Sequence, residues 1–174
     1  MKKMLLFPLL IILSSFMLKS FYDISVRTIN GNILSMSDYK NKKLMIVILS
    51  TEKTDTAYLQ SLDSLSRQYA DSITMIGVPA YEGSQPDSVT ALQNYYQTYL
   101  GSQFIITEMM YTTKASGRQN ELFEWLSNKD ENQHFDMDAA GAGTKYFING
   151  NGELYGVFVP QIPLSGRLIN RMIF

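Results

Sequence analysis

Leu44-Met45-Ile46-Val47-Ile48-Leu49 is six apolar residues without a break, bounded by Lys42-Lys43 on one side and Ser50-Thr51-Glu52-Lys53 on the other. A strand with one wet face alternates apolar and polar side chains, so an unbroken run of this length predicts a strand covered on both faces by helices. Just downstream, Leu59, Leu62, Leu65 and Tyr69 recur at helical spacing across residues 57–69, while Gln60, Asp63, Ser64 and Arg67 fill the opposite face. A buried strand running into an amphipathic helix opens a βα unit and sets the class as α/β.

The pattern repeats outward from there. Residues 73–78 (ITMIGV) predict a second buried strand, and Asp87 or Ser88 caps a helix that carries Val89, Leu92, Tyr96 and Tyr99 and stops at Gly101. A short strand at Phe104-Ile105-Ile106 precedes a helix over 120–126, and the polar stretch 127–143 reads as a loop. Residues 144–149 and 153–159 flank Gly150-Asn151-Gly152, which is hairpin chemistry, and 164–173 predicts a closing helix. Upstream, residues 21–26 alternate in polarity, Asn30-Gly31 offers a turn, and Ile33-Leu34 resumes the pattern, which predicts an amino-terminal β-hairpin. Alternating βα units followed by a hairpin and a last helix fit a central mixed sheet flanked by helices.

A chain of 174 residues with 45% hydrophobic content suits one domain with a sizeable core. Lys and Arg number 15 against 16 Asp and Glu, with no block of like charge, which argues against a nucleic-acid partner. The chain has no cysteine, and this excludes a structural disulfide, a thiolate metal site and a cysteine nucleophile together.

The amino terminus reads as a targeting segment. Met1-Lys2-Lys3 supplies positive charge, and residues 4–13 (MLLFPLLIIL) have the length and character of a signal-peptide core. Apolar residues continue through Phe16, Met17 and Leu18, so residues 1–20 are either a signal peptide cut near Ser20 or an amino-terminal anchor, with the domain proper over 21–174. No cysteine follows to accept a lipid. The expected location is therefore exported, periplasmic or cell-envelope associated, with membrane contact only through that segment. A cut at Ser20 removes three lysines and leaves 12 basic against 16 acidic residues.

Four stretches resemble the glutathione peroxidase family of the thioredoxin-like superfamily. Residues 21–26 (FYDISV) through 34–40 (LSMSDYK) are similar to the family's opening hairpin and "LSDYKGK" segment. Residues 44–65 resemble the strand and helix that carry the peroxidatic Cys or selenocysteine, and Lys53 stands at that position. Gly77-Val78-Pro79-Ala80 is similar to the start of the family's "GFPCNQFGGQEP" stretch, with Glu82 where the family has its catalytic Gln across a shorter loop. Leu122-Phe123-Glu124-Trp125-Leu126 is similar to "PLFKWL", and Thr144-Lys145-Tyr146-Phe147-Ile148 to "WNFTKFLI", which sets Gly141-Ala142 against the catalytic Trp-Asn pair. The resemblance implies a thioredoxin-like fold of glutathione peroxidase type in which the whole Cys, Gln, Trp, Asn set is absent, and in which Trp125 is a structural tryptophan.

Those positions decide the chemistry. Thiol peroxidases attack the O–O bond with a thiolate that then carries the oxygen as a sulfenic acid, and a lysine amine has no such cycle. Glu52 and Glu82 are expected near Lys53, giving either a Lys53–Glu82 ion pair or separate solvated charges. An activated lysine is a further reading of the same residue.

Other chemically capable residues have plain structural readings. His134, the single histidine, sits in a polar stretch, Asp136 and Asp138 lack the pattern of a calcium loop, and the methionines suit core filling over copper binding. The tyrosines are expected at the rim of the core with hydroxyls outward, and Ser50, Thr51, Thr54 and Thr56 as helix caps. No cofactor and no metal are expected. Two functional readings remain: a non-catalytic envelope protein that binds or supports an envelope protein or small molecule, or a thiol-dependent peroxidase reducing hydrogen peroxide or organic hydroperoxides, as the family implies.

Overall fold

The computed structural model describes residues 19–53, 56–82 and 88–174, so the predicted targeting segment lies almost wholly outside the described residues, as does the alternative cap Asp87. The apolar hexamer forms β3 (Leu44–Leu49), with every residue buried. It follows a small antiparallel hairpin of β1 (Ser25–Arg27) and β2 (Ile33–Ser35), in which Val26 faces Leu34. The remaining elements are α1 (Thr56–Gln68), β4 (Thr74–Pro79), α2 (Val89–Tyr99), β5 (Ile105–Ile106), α3 (Glu121–Ser127), α4 (Lys129–Asn132), β6 (Lys145–Ile148), β7 (Leu154–Phe158) and α5 (Arg167–Ile173).

The main sheet runs β5-β4-β3-β6-β7, with β5 and β4 parallel to β3, β6 antiparallel to it, and β7 antiparallel to β6. β3 is thus central and hydrogen-bonded on both edges. Its side chains alternate between two cores. Leu44, Ile46 and Ile48 point to the face covered by the hairpin and by Leu122, Phe123, Trp125 and Leu126 of α3. Met45, Val47 and Leu49 point to the face covered by Leu59, Leu62 and Leu65 of α1, Leu92 and Tyr96 of α2, and Ile169 and Ile173 of α5. Each such buried aliphatic contributes about 1.5–3 kcal/mol by leaving water.

Differences from the sequence expectation have local causes. Phe21–Asp23 is a 3-10 turn and not strand, because the Ser20 hydroxyl caps it while the Asp23 carboxylate accepts from the Ser20 amide. The 127–143 stretch is not all loop: Asn128 caps the short α4, and the buried Asn132 carboxamide ties the following chain down. Its Nδ2 donates to the Trp125 and Phe135 carbonyls, each at 2.9 Å, and its Oδ1 accepts from the amides of His134 and Phe135 at 2.8 and 2.7 Å. Tyr96 and Tyr146 are wholly buried, against the expectation of rim positions. Met36, Met45, Met75 and Met110 are core residues.

Lys145 is also fully buried, its ammonium donating to the Gly143 and Ile162 carbonyls at 2.7 and 2.9 Å. Burial without a carboxylate lowers its pKa to about 8. The unfolded chain then binds more protons between that value and the ordinary lysine range, so stability rises with pH there. Burial acts oppositely on tyrosine: Tyr155 is pushed up to about 12, and Tyr96 and Tyr146 are raised as well, so above pH ~10 the unfolded state loses protons first and stability falls. Denaturant melts should therefore give greater stability at pH 9.5 than at 7.5 and a decline by pH 11. Lys145→Met should flatten the first rise and leave the later fall.

Candidate functional site

The carboxyl end of β3 is where the resemblance places its chemistry. β3 ends at Leu49, the chain turns through Ser50, Thr51, Glu52 and Lys53, and α1 begins at Thr56. Ser50 is held through both its hydroxyl and its carbonyl. The Ser50 hydroxyl accepts from the Glu52 amide at 3.1 Å, and the buried Tyr96 hydroxyl of α2 donates to the Ser50 carbonyl at 2.7 Å.

Facing the turn is the segment entering β6. The Gly143 amide donates to the Ile48 carbonyl at 2.7 Å, and the Ile48 amide donates to the Thr144 carbonyl at 3.0 Å, so the segment is laced to β3. The Thr144 hydroxyl closes the bend by donating to the Gly141 carbonyl at 2.7 Å. The bend itself needs glycine, with φ +97° at Gly141 and +89° at Gly143.

Between these walls lies a pocket of about 170 Å³. Ile48 and Leu49 of β3 form its floor, Tyr58, Leu59 and Tyr95 of α1 and α2 one side, and Ala142, Gly143 and Pro160 the other, with Ser50 and Glu52 completing the lining. The lining suits a small, mostly apolar group and supplies no sulfur.

The four sequence-derived positions do not converge here. Ala142 lines the pocket. Lys53 is exposed, one residue beyond Glu52, and takes part in none of the ion pairs among the described residues, which join Lys19 to Glu121, Arg67 to Asp63 and Lys114 to Asp136. Glu82 is committed elsewhere: its carboxylate accepts from the amides of Thr112 and Thr113, the latter at 2.7 Å, and from both their hydroxyls, at 3.2 and 3.1 Å. The contemplated Lys53–Glu82 ion pair is thus replaced by a carboxylate that pins the 112–113 segment. A charged group accepting backbone amides holds more firmly than an exposed ion pair.

Gly141 stands where the resemblance expects tryptophan. A side chain there would meet nothing within 4 Å, so the obstacle is the left-handed backbone and not lack of room. Sequence reasoning missed Tyr58, Tyr95 and Tyr96 as lining or positioning residues. Only Tyr96 stood on an apolar stripe at helical spacing, and tyrosine at a core rim gives no separate signal. Lys145 was visible only as part of a motif.

Several other candidates are structural. Asp138 accepts from the Lys114 amide at 3.1 Å and Asp136 pairs with the Lys114 ammonium at 2.8 Å, so these carboxylates organise the 114–116 turn. The ammonium also holds the exposed Asp136 carboxyl below its usual range. His134 is exposed. Among the described residues, no three His, Cys, Asp or Glu side chains are grouped as metal ligands.

A five-stranded mixed sheet with helices on both faces, preceded by a small hairpin, is the thioredoxin-like fold. The crystal structure of T. cruzi GPX1 matches it with a TM-score of 0.66 at 15% identity, covering 89% of this chain and 94% of that one. A secreted Mycobacterium tuberculosis disulfide oxidoreductase matches at 0.57 and 14% identity, over 88% of this chain and 96% of that one. No family model matches the chain. Sequence similarity narrows the class: a glutathione peroxidase of Lactococcus lactis is 26% identical over 146 residues, 82% of this chain and 90% of that protein. The glutathione peroxidase homolog BsaA of Bacillus subtilis is 25% identical over the same share of this chain and 89% of its own length. The chain is glutathione peroxidase-like over most of its length, on a thioredoxin-like fold.

Removing the Glu82 carboxylate leaves two amides without their acceptor, at about 1–3 kcal/mol each where they are buried. Glu82→Ala should lower Tm by several degrees and speed amide hydrogen exchange at Thr112 and Thr113 at least tenfold. Glu82→Gln, which keeps one acceptor oxygen, should lie between. Unchanged exchange in the Ala variant would remove the pinning role.

Proposed function

We propose that this protein is a non-catalytic relative of the glutathione peroxidases, exported to the cell envelope, where it uses the thioredoxin-like scaffold to bind a small molecule or an envelope protein. The observation that carries the reading is the absence of a thiol: the chain contains no cysteine, and residue 53 is lysine. Reduction of a hydroperoxide by this family's route needs an atom that accepts one oxygen and is later returned by thiols, which an amine does not do.

Two further features support the reading. The Glu82 carboxylate is occupied by Thr112 and Thr113, and the Gly141 backbone is one that L side chains rarely adopt. At the positions that the resemblance assigns to the groups assisting a thiolate stand glutamate, glycine and alanine. The pocket at the end of β3, with its tyrosines, Ala142 and Pro160, is the natural place for a small apolar group. The basic and apolar residues 1–18 support export.

The likeness to named glutathione peroxidases favours a second reading, a working thiol-dependent peroxidase. One assay separates the two: the full chain with glutathione or thioredoxin as reductant and hydrogen peroxide or a lipid hydroperoxide as oxidant. Consumption at the level of the buffer blank is expected, and turnover well above it sinks the non-catalytic reading. Lys53→Cys should form a sulfenic acid with peroxide but not turn over. Adding Gly141→Trp should cost stability through backbone strain of about 1–2 kcal/mol without restoring activity.

A further inference from the structure

Cleavage after Ser20 is the simple expectation for the amino-terminal segment, yet the fold has taken up Lys19 and Ser20, which such a cut would remove. The indole Nε1 of Trp125, in the buried face of α3, donates to the Lys19 carbonyl at 3.1 Å. The Lys19 ammonium pairs with the Glu121 carboxylate one turn earlier on the same helix. Ser20 caps the 3-10 turn at Phe21–Asp23, and its amide donates to Asp23 at 3.1 Å. Phe21 is only 1% exposed and packs against Trp125 with ring centroids 5.1 Å apart.

A cut between Ser20 and Phe21 would leave the indole N–H without its acceptor and Asp23 without its amide partner. It would also create a charged α-ammonium on a residue whose side chain is in the core. Each change opposes folding.

The sequence offers no other place to cut. Secretory cleavage sites carry small residues at the last and third-last positions before the cut. From Met4 to Ser20 the small residues are Ser14, Ser15 and Ser20, and the residues two before them are Ile12, Leu13 and Leu18. No small-x-small pair exists in that span.

We propose that Lys19 and Ser20 remain in the mature protein, that the apolar residues 4–18 are not removed, and that they hold the domain on a lipid bilayer, with the Trp125–Lys19 contact as the point where tether meets fold. The apolar run is shorter than the ~20 residues of a comfortable span, and Lys2, Lys3 and Lys19 flank it in the sequence, the placement that suits lysines beside a bilayer. The proposal rests on the export reading.

The test is expression of the full chain in a bacterial host, followed by membrane fractionation, alkaline carbonate washing and intact mass measurement. A chain of unprocessed mass that resists the wash and needs detergent for release is the expected result. A mass short by the first 20 residues overturns the tether while leaving export intact. An unprocessed chain in the soluble cytosolic fraction overturns the export reading and the tether with it.

The double variant Leu18→Ala, Ser20→Ala supplies the missing small residues. It should be cut, leave the membrane, and show altered Trp125 fluorescence with a Tm several degrees below that of the uncut chain. If the variant is not cut, the missing small residues are not what retains the segment. If it is cut with emission and Tm unchanged, Lys19 and Ser20 are not part of the fold. Either result overturns its half of the argument.

Discussion

Everything in this molecule is arranged around a strand that has no wet side. β3 is buried at all six positions, bonded to β4 along one edge and to β6 along the other, and its side chains divide evenly between two cores. Such a strand leaves no backbone group for water to satisfy, so both neighbours are obligatory. Helices α1, α2 and α5 must then close one face, and the hairpin with α3 the other. At its carboxyl end the strand runs into irregular chain, and the pocket forms there.

What surrounds that end is a set of backbone commitments more than a set of reactive groups. Tyr96 holds the Ser50 carbonyl, Gly143 and Thr144 are laced to Ile48, and Lys145 draws the Gly143 and Ile162 carbonyls together from within the core. An ammonium buried among carbonyls, without a carboxylate, is an expensive way to join two loops, and its cost shows in its lowered pKa. Glu82, by contrast, spends a full charge on a neighbouring loop that contributes nothing to the pocket.

Much of this architecture could be read from the residues. The hexamer, the helical stripe after it and the Gly150-Asn151-Gly152 turn placed β3, α1, β6 and β7 to within a residue or two, because apolar periodicity and turn chemistry are local properties. The α4 turn escaped notice because it depends on Asn132 reaching back to the Trp125 carbonyl, a contact that no periodicity encodes. The site was legible only by position. Matching the chain to a family pattern located residues 53, 82, 141 and 142, but not that Glu82 would turn to Thr112 and Thr113, nor that residue 141 would take a left-handed backbone. Side-chain direction and φ are settled by tertiary contacts, which a single sequence does not display.

The two glycines that bend the chain into β6 also bear on how this protein can change over generations. With φ at +97°, any side chain introduced at residue 141 begins under backbone strain, whatever it would contribute to the pocket. The bend acts as an evolutionary ratchet: selection can vary the residues lining the pocket more freely than the glycine that turns the chain towards β6.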